Sequence, residues 1–97
     1  MTEFQFHCDP GHAWLEVSIA QLCMVGLERR DFSTCSYVGH DGSMFLEEDC
    51  DAGKFINAYA DKYGRDELHF KEVMHKNNAP CRSMSKNHTG MWDGRPS

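Results

Sequence analysis

The stretch LEEDCDAGKFINAYADKY, residues 46–63, decides the fold because it joins an acidic run to a long amphipathic pattern. Its apolar residues after the acids are Ala52, Phe55, Ile56, Tyr59, Ala60 and Tyr63. Their spacing alternates between three residues and one, which places them on one side of a helix. The pattern predicts a helix from about Cys50 to Tyr63, ended by Gly64.

Patterns typical of strands precede and follow this helix. Before it they cover residues 2–8, 12–17, 32–38 and 43–47. Residues 19–25 predict a short helix, since Ser18 and Gln21 have the spacing of a capping box. Residues 68–74 alternate again and predict a last strand. The order ββαββαβ predicts one α+β domain, with a mainly antiparallel sheet and two helices on one of its faces.

The C-terminal segment lacks such a pattern. Asn, Ser, Gly and Pro dominate there, and Met84, Met91 and Trp92 are its only large apolar residues. We therefore predict a folded domain over residues 1–76 and an extended or mobile tail over residues 77–97. Deletion of residues 78–97 is expected to leave a folded domain.

Trp14 is predicted on the sheet face that the helices leave bare, because Leu15 and Val17 alternate with it toward the core. An exposed tryptophan on such a face is a candidate for binding a partner. In the alternative interpretation, the tail covers Trp14 through Met91 or Trp92.

The charge is uneven along the chain. Residues 1–74 carry 14 acids and six Lys or Arg, a formal charge of −8, whereas residues 75–97 carry a formal charge of +3. An acidic body repels phosphates, so we predict no direct nucleic-acid binding by it. No apolar stretch is long enough to span a membrane and no signal peptide is evident, which predicts a cytoplasmic protein.

The acids Glu47, Glu48, Asp49 and Asp51 have two interpretations. Asp49 or Asp51 can cap the helix that follows, and acids favour the positive end of a helix dipole. Alternatively, the acids form a contact surface for a basic partner. We assign all four, together with Trp14, as predicted partner-binding residues.

Histidines and cysteines are scattered along the chain. Those near the predicted hairpins and helix start are His7, Cys8, His12, Cys35, His40 and Cys50. No Cys-x-x-Cys pair of the kind that structural zinc uses is present, and the five cysteines match no common disulfide framework. We predict no metal, no cofactor and no catalytic residue, hence no enzyme. A metal-binding or thiol-dependent protein that uses some of these residues stays open.

Two blocks, HAWLEV at residues 12–17 and LEEDCDA at residues 46–52, with Tyr37 between them, resemble a group of small uncharacterised proteins. That group belongs to bacteriophage, prophage and plasmid genomes. The resemblance implies a small accessory protein of a mobile element, and such proteins often bind and block a host machine such as a CRISPR complex or a restriction enzyme. It assigns no role to any residue.

Charge and resemblance together predict a small acidic binding protein in the host cytoplasm. It would inhibit a host defence complex, as anti-CRISPR proteins do, by occupying a basic surface that otherwise binds nucleic acid. The alternatives are the metal-binding or thiol-dependent protein and a regulatory homodimer formed through the bare sheet face.

Overall fold

The computed structural model describes residues 2–39, 41–77 and 79–87. The strands are β1 (Thr2–Cys8), β2 (Ala13–Val17), β3 (Tyr37–Val38), β4 (Met44–Glu47), β5 (Leu68–Met74) and β6 (Ser85–Lys86), and the helices are α1 (Ile19–Met24) and α2 (Ala52–Tyr63). Among the described residues, no helix has the length and apolar character that crossing a membrane requires.

The strands form one sheet in the order β5-β1-β2-β4-β3-β6. All neighbouring pairs are antiparallel except β1 and β5, which are parallel. A parallel pair cannot be joined by a tight turn, and here the chain between the two strands includes both helices. The predicted α+β fold with a mainly antiparallel sheet is confirmed.

Both helices pack against the same face of the sheet. The core on that face contains Phe4, Leu15, Val17, Leu22, Phe32, Met44, Leu46, Ala52, Phe55 and Tyr59. Leu22 comes from α1, whereas Phe55 and Tyr59 come from α2. The ring of Phe4 on β1 lies 5.4 Å from the rings of both Phe55 and Tyr59, with edge-to-face geometry. The predicted placement of two helices on one face is therefore confirmed.

Local signals at the helix ends act as predicted. The backbone N–H of Gln21 donates to Ser18 Oγ, and the N–H of Ser18 donates to the Gln21 side chain, which completes the capping box of α1. Gly64 follows α2 with a φ of 94°, a conformation that glycine adopts without steric cost.

The predicted third strand is wrong over most of its length, because only Tyr37 and Val38 pair in the sheet. Residues 33–36 form a turn in which the N–H of Ser36 donates a hydrogen bond to the carbonyl of Ser33. The carboxylate of Asp51 accepts hydrogen bonds from Ser33 and Ser36, which holds this segment against the start of α2 instead of in the sheet.

The folded domain extends beyond residue 76, the boundary that the sequence predicts. Ala79 and Cys81 are buried, and the carboxylate of Asp9 accepts a hydrogen bond from the N–H of Ala79. The buried side chain of Asn87 donates to the carbonyls of Arg29 and Phe32 at 2.9 and 3.1 Å. Residues 79–87 thus pack on the domain, while the rest of the predicted tail, residues 88–97, lies outside the described residues.

Trp14 is buried, so of the two interpretations of this residue the exposed one is wrong. Only 2% of the residue is exposed, and it packs in a second core on the face opposite the helices. The members of that core are Trp14, Tyr37, Phe45, Ala79 and Cys81, with Met84 at its edge. The C-terminal segment therefore covers this tryptophan through residues 79–84, whereas Met91 and Trp92 lie outside the described residues. A homodimer through this face stays a prediction, although part of the face is covered.

Candidate functional site

A cleft of about 260 Å³ opens where the start of β2, the start of β3 and the end of β4 meet. Its lining residues are His12, Trp14, Cys35, Tyr37, Glu47, Asp49 and Cys50. The pairing of Trp14 with Glu47 across β2 and β4 brings His12 beside the acidic stretch. The sheet thus gathers imidazole, carboxylate and thiol groups from separate parts of the chain.

Hydrogen bonds hold the Glu47 side chain in place in the cleft. It is only 6% exposed, and its Oε2 accepts hydrogen bonds from the backbone N–H groups of Asp49 and Cys50 at 2.7 and 3.0 Å. Its Oε1 lies 3.3 Å from His12 Nδ1. The turn that follows β4 is therefore folded around the Glu47 carboxylate, which leaves one oxygen directed at the imidazole.

Three side chains converge at this point. One ligand atom each from His12, Glu47 and Asp49 lies within 4.8 Å of the other two. Ligand atoms around a tetrahedral zinc ion, each about 2.0–2.1 Å from the metal, are roughly 3.3 Å apart. The His12 side chain is half exposed and Asp49 is exposed, so neither is locked in place by packing. The group has the chemistry of a three-ligand cation site, with ligand atoms up to 4.8 Å apart.

Two thiols line the same cleft. The Cys50 thiol donates a hydrogen bond to Cys35 Sγ over 3.1 Å. This hydrogen bond, followed by desolvation and the neighbouring Glu47 carboxylate, raises the pKa of Cys50 to about 12. Cys50 is therefore a protonated thiol at neutral pH in the metal-free protein.

The Asp51 side chain links the start of α2 to the loop before β3 and does not cap the helix. The residue is 3% exposed, and its carboxylate accepts hydrogen bonds from the N–H and hydroxyl of Ser33 and from the hydroxyl of Ser36. Ser36 Oγ in turn accepts from the N–H of Glu47 at 3.1 Å. The prediction that Asp49 or Asp51 caps the helix is wrong in this respect, because Asp51 is the N-cap residue and makes no side-chain cap bond.

The predicted partner-binding acids separate into two pairs. Glu47 and Asp51 are buried and engaged in the hydrogen bonds described above, whereas Glu48 and Asp49 are exposed. An acidic contact surface at this stretch is therefore limited to Glu48 and Asp49. Trp14 lines the cleft, but from within the second core.

The other predicted histidine and cysteine candidates lie elsewhere. His7 on β1 sits between Glu16, at 2.7 Å, and His75, at 3.2 Å. Cys8 Sγ lies near Glu72, and His40 is outside the described residues. The sequence pattern does not distinguish among the six candidates, since only the pairing of β2 and β3 with β4 brings His12, Cys35 and Cys50 to one cleft.

The fold and the cleft together define a small α+β protein in which imidazole and carboxylate side chains meet at an open cleft. Comparison with protein-family models, with curated proteins and with solved structures finds no match for this chain. The resemblance of residues 12–17 and 46–52 to mobile-element proteins therefore stays an interpretation of the sequence.

Proposed function

We propose that this chain is a metal-binding protein that holds one divalent ion of the zinc class in the cleft through His12, Glu47 and Asp49. The convergence of these three ligand atoms within 4.8 Å supports the proposal. It takes up the metal-binding alternative that the sequence left open, but of the histidines and cysteines named there it uses only His12 as a ligand.

The donor set favours a transition metal over Mg²⁺ or Ca²⁺. Imidazole nitrogen suits zinc, copper, iron and nickel, whereas magnesium and calcium prefer oxygen ligands alone. The neighbouring thiols of Cys35 and Cys50 are also ligands that zinc prefers. Three protein ligands at the mouth of a cleft leave one position for water or for a group of a partner, as in zinc sites that are not purely structural.

The surroundings of Glu47 support a ligand role. Backbone N–H groups of Asp49 and Cys50 fix one of its oxygens, which orients the other toward the cleft. Hydrogen bonds of this kind orient the ligands of metal sites, and losing one typically weakens metal binding by about 10–100-fold. A divalent cation would also offset the charges of the two carboxylates, which lie close together.

The test is zinc binding by protein purified without a polyhistidine tag. After metal is removed with EDTA, Zn²⁺ is titrated against a chromophoric chelator and bound metal is measured by elemental analysis. We expect one zinc per chain, and we expect His12→Ala to weaken binding by about 100-fold or more, since it removes a direct ligand.

His69→Ala is the matched control because His69 is exposed on β5, outside the cleft. It should leave zinc affinity unchanged. Substoichiometric zinc in the wild type, or equal affinities for His12→Ala and His69→Ala, would reject the proposed site.

A second candidate function is the predicted inhibitor of a host defence complex. Its support is the exposed pair Glu48 and Asp49 on a chain with a formal net charge of −5. These acids would occupy a basic surface in place of nucleic-acid phosphates. Such contacts weaken as salt rises, because exposed charges are screened over about 10 Å at 0.1 M ionic strength.

Charge reversal separates the two candidates. In a pull-down from host lysate at low salt, Glu48→Lys should abolish retention of the partner, whereas Asp61→Lys, an exposed position on α2, should not. Glu48→Lys should leave zinc affinity intact, since Glu48 is not among the proposed ligands. Retention of the same partner by Glu48→Lys as by the wild type would remove this segment from the interface.

A further inference from the structure

Cys35 and Cys50 come from two different loops, yet their sulfur atoms are 3.1 Å apart. A disulfide has a sulfur separation of about 2.05 Å, so a shift of roughly 1 Å joins the pair. Both are free thiols, and since Cys35 is half-buried and Cys50 is exposed, an oxidant reaches the pair from solvent.

A buried network keeps the two loops together. Asp51, next to Cys50 in the chain, accepts hydrogen bonds from Ser33 and Ser36, and these serines flank Cys35. The N–H of Cys35 also donates to Ser33 Oγ at 3.1 Å. Because the Asp51 carboxylate is buried, these bonds face little competition from water, and they hold one thiol beside the other.

We propose that Cys35 and Cys50 are a reversible redox pair, oxidised to an intramolecular disulfide by a low-molecular-weight disulfide such as oxidised glutathione and reduced again by a dithiol. The Cys35 thiolate attacks one sulfur of oxidised glutathione, whose S–S bond breaks and releases one glutathione thiolate. Cys50 then loses its proton and attacks the Cys35 sulfur, which releases the second glutathione. In total two protein thiols lose two electrons and two protons, and the oxidant becomes two glutathione thiols.

The reaction needs no metal ion, so the redox pair goes beyond the proposed metal site although both share the cleft. The other cysteines belong to different elements, with Cys8 on β1, Cys23 on α1 and Cys81 in the segment that follows Pro80. The proposal therefore assigns the disulfide to one pair out of the five cysteines in the chain.

The experiment uses the full chain, freed of metal with EDTA and equilibrated without oxygen in buffers of defined reduced and oxidised glutathione. Samples are quenched with acid, alkylated after denaturation and mapped by mass spectrometry. We expect two of the five thiols to be lost together, with a single cross-link between Cys35 and Cys50. Cys35→Ser should remove the cross-link, whereas Cys23→Ser, at an exposed position on α1, should keep the wild-type equilibrium.

Asp51→Asn tests the positioning network. We expect it to lower the equilibrium constant for disulfide formation by about tenfold, a rise of about 30 mV in the potential of the pair, while glutathione addition to Cys23 stays unchanged. An unchanged constant would overturn the positioning role of Asp51. Wild-type protein that accumulates only mixed disulfides, or that links other cysteines, would overturn the redox pair itself, whatever the result of the zinc titration.

Discussion

Glu47 and Glu48 are neighbours with the same side chain, but the structure gives them opposite environments. Glu47 points into the cleft and accepts two backbone hydrogen bonds, whereas Glu48 points to solvent. The difference arises because Glu47 is the last residue of β4 and lies on the sheet face opposite Leu46, whereas Glu48 lies in the turn after the strand. The Glu47 carboxylate therefore supports the turn that follows β4, whereas the Glu48 carboxylate contributes mainly to the surface charge.

Replacing Glu47 with Ala should therefore destabilise the fold by about 1–3 kcal/mol, because two N–H groups lose their acceptor in a poorly hydrated place. Glu48→Ala should change the free energy of unfolding by no more than about 0.5 kcal/mol, as is usual at exposed positions. Urea denaturation followed by circular dichroism measures both. Equal effects of the two substitutions would show that the Glu47 hydrogen bonds contribute little to stability.

At the scale of the secondary-structure elements, the apolar side chains of α2 are buried to different extents. Phe55 is fully buried between Phe4 and Tyr59, whereas Ile56, next to it, is only partly buried at the edge of the core. The helical spacing places both on the same side of the helix, but it does not show which of the two is more deeply buried. The depth of burial depends on where β1 lies beneath the helix.

Phe55→Ala should cost about 3–5 kcal/mol, the range for removing a buried aromatic side chain. Ile56→Ala should cost clearly less than Phe55→Ala, because part of its surface is already in water. Asn57→Ala, at an exposed position of α2, is a control that should change little. Chemical denaturation of the three variants measures the order, and a larger loss at Ile56 than at Phe55 would contradict the packing described for α2.

For the molecule as a whole, the C-terminal segment closes the second core. Residues 79–87 bring Ala79 and Cys81 over Trp14, and Asn87 ties the end of the segment to the loop that precedes β3. The expectation that the domain folds unchanged without residues 78–97 is therefore revised. Truncation within this range should have different effects depending on where the chain ends.

A chain ending at Asn87 should melt close to the full-length protein, whereas a chain ending at Asn77 should melt about 10 °C lower or more. A loss of 1 kcal/mol shifts the melting temperature of a domain of this size by about 4–8 °C, and the longer deletion removes buried side chains and several hydrogen bonds. Both truncations lack Trp92, which leaves Trp14 as the only tryptophan. Its emission should shift to the red only in the shorter chain, and identical melting and emission would show that residues 78–87 do not cover it.

The sequence alone determined the features that depend on near neighbours in the chain. The period of α2, the capping box at Ser18 and the alternation in β1 follow from local geometry and local hydrogen bonds, so they could be predicted. Of the candidate site, the sequence supplied the acids and the separate histidines and cysteines. It did not indicate which of them meet.

Only the tertiary structure decided the rest. The parallel pairing of β5 with β1, the burial of Trp14 by residues 79–84 and the meeting of His12 with Glu47 all join parts of the chain that are distant in sequence. Such contacts depend on strand order and on the free energy of the whole packed core, which no local pattern contains. Buried Asp51 shows the same limit, because the groups that donate hydrogen bonds to its carboxylate belong to Ser33 and Ser36, in a segment that sequence patterns assign to a strand.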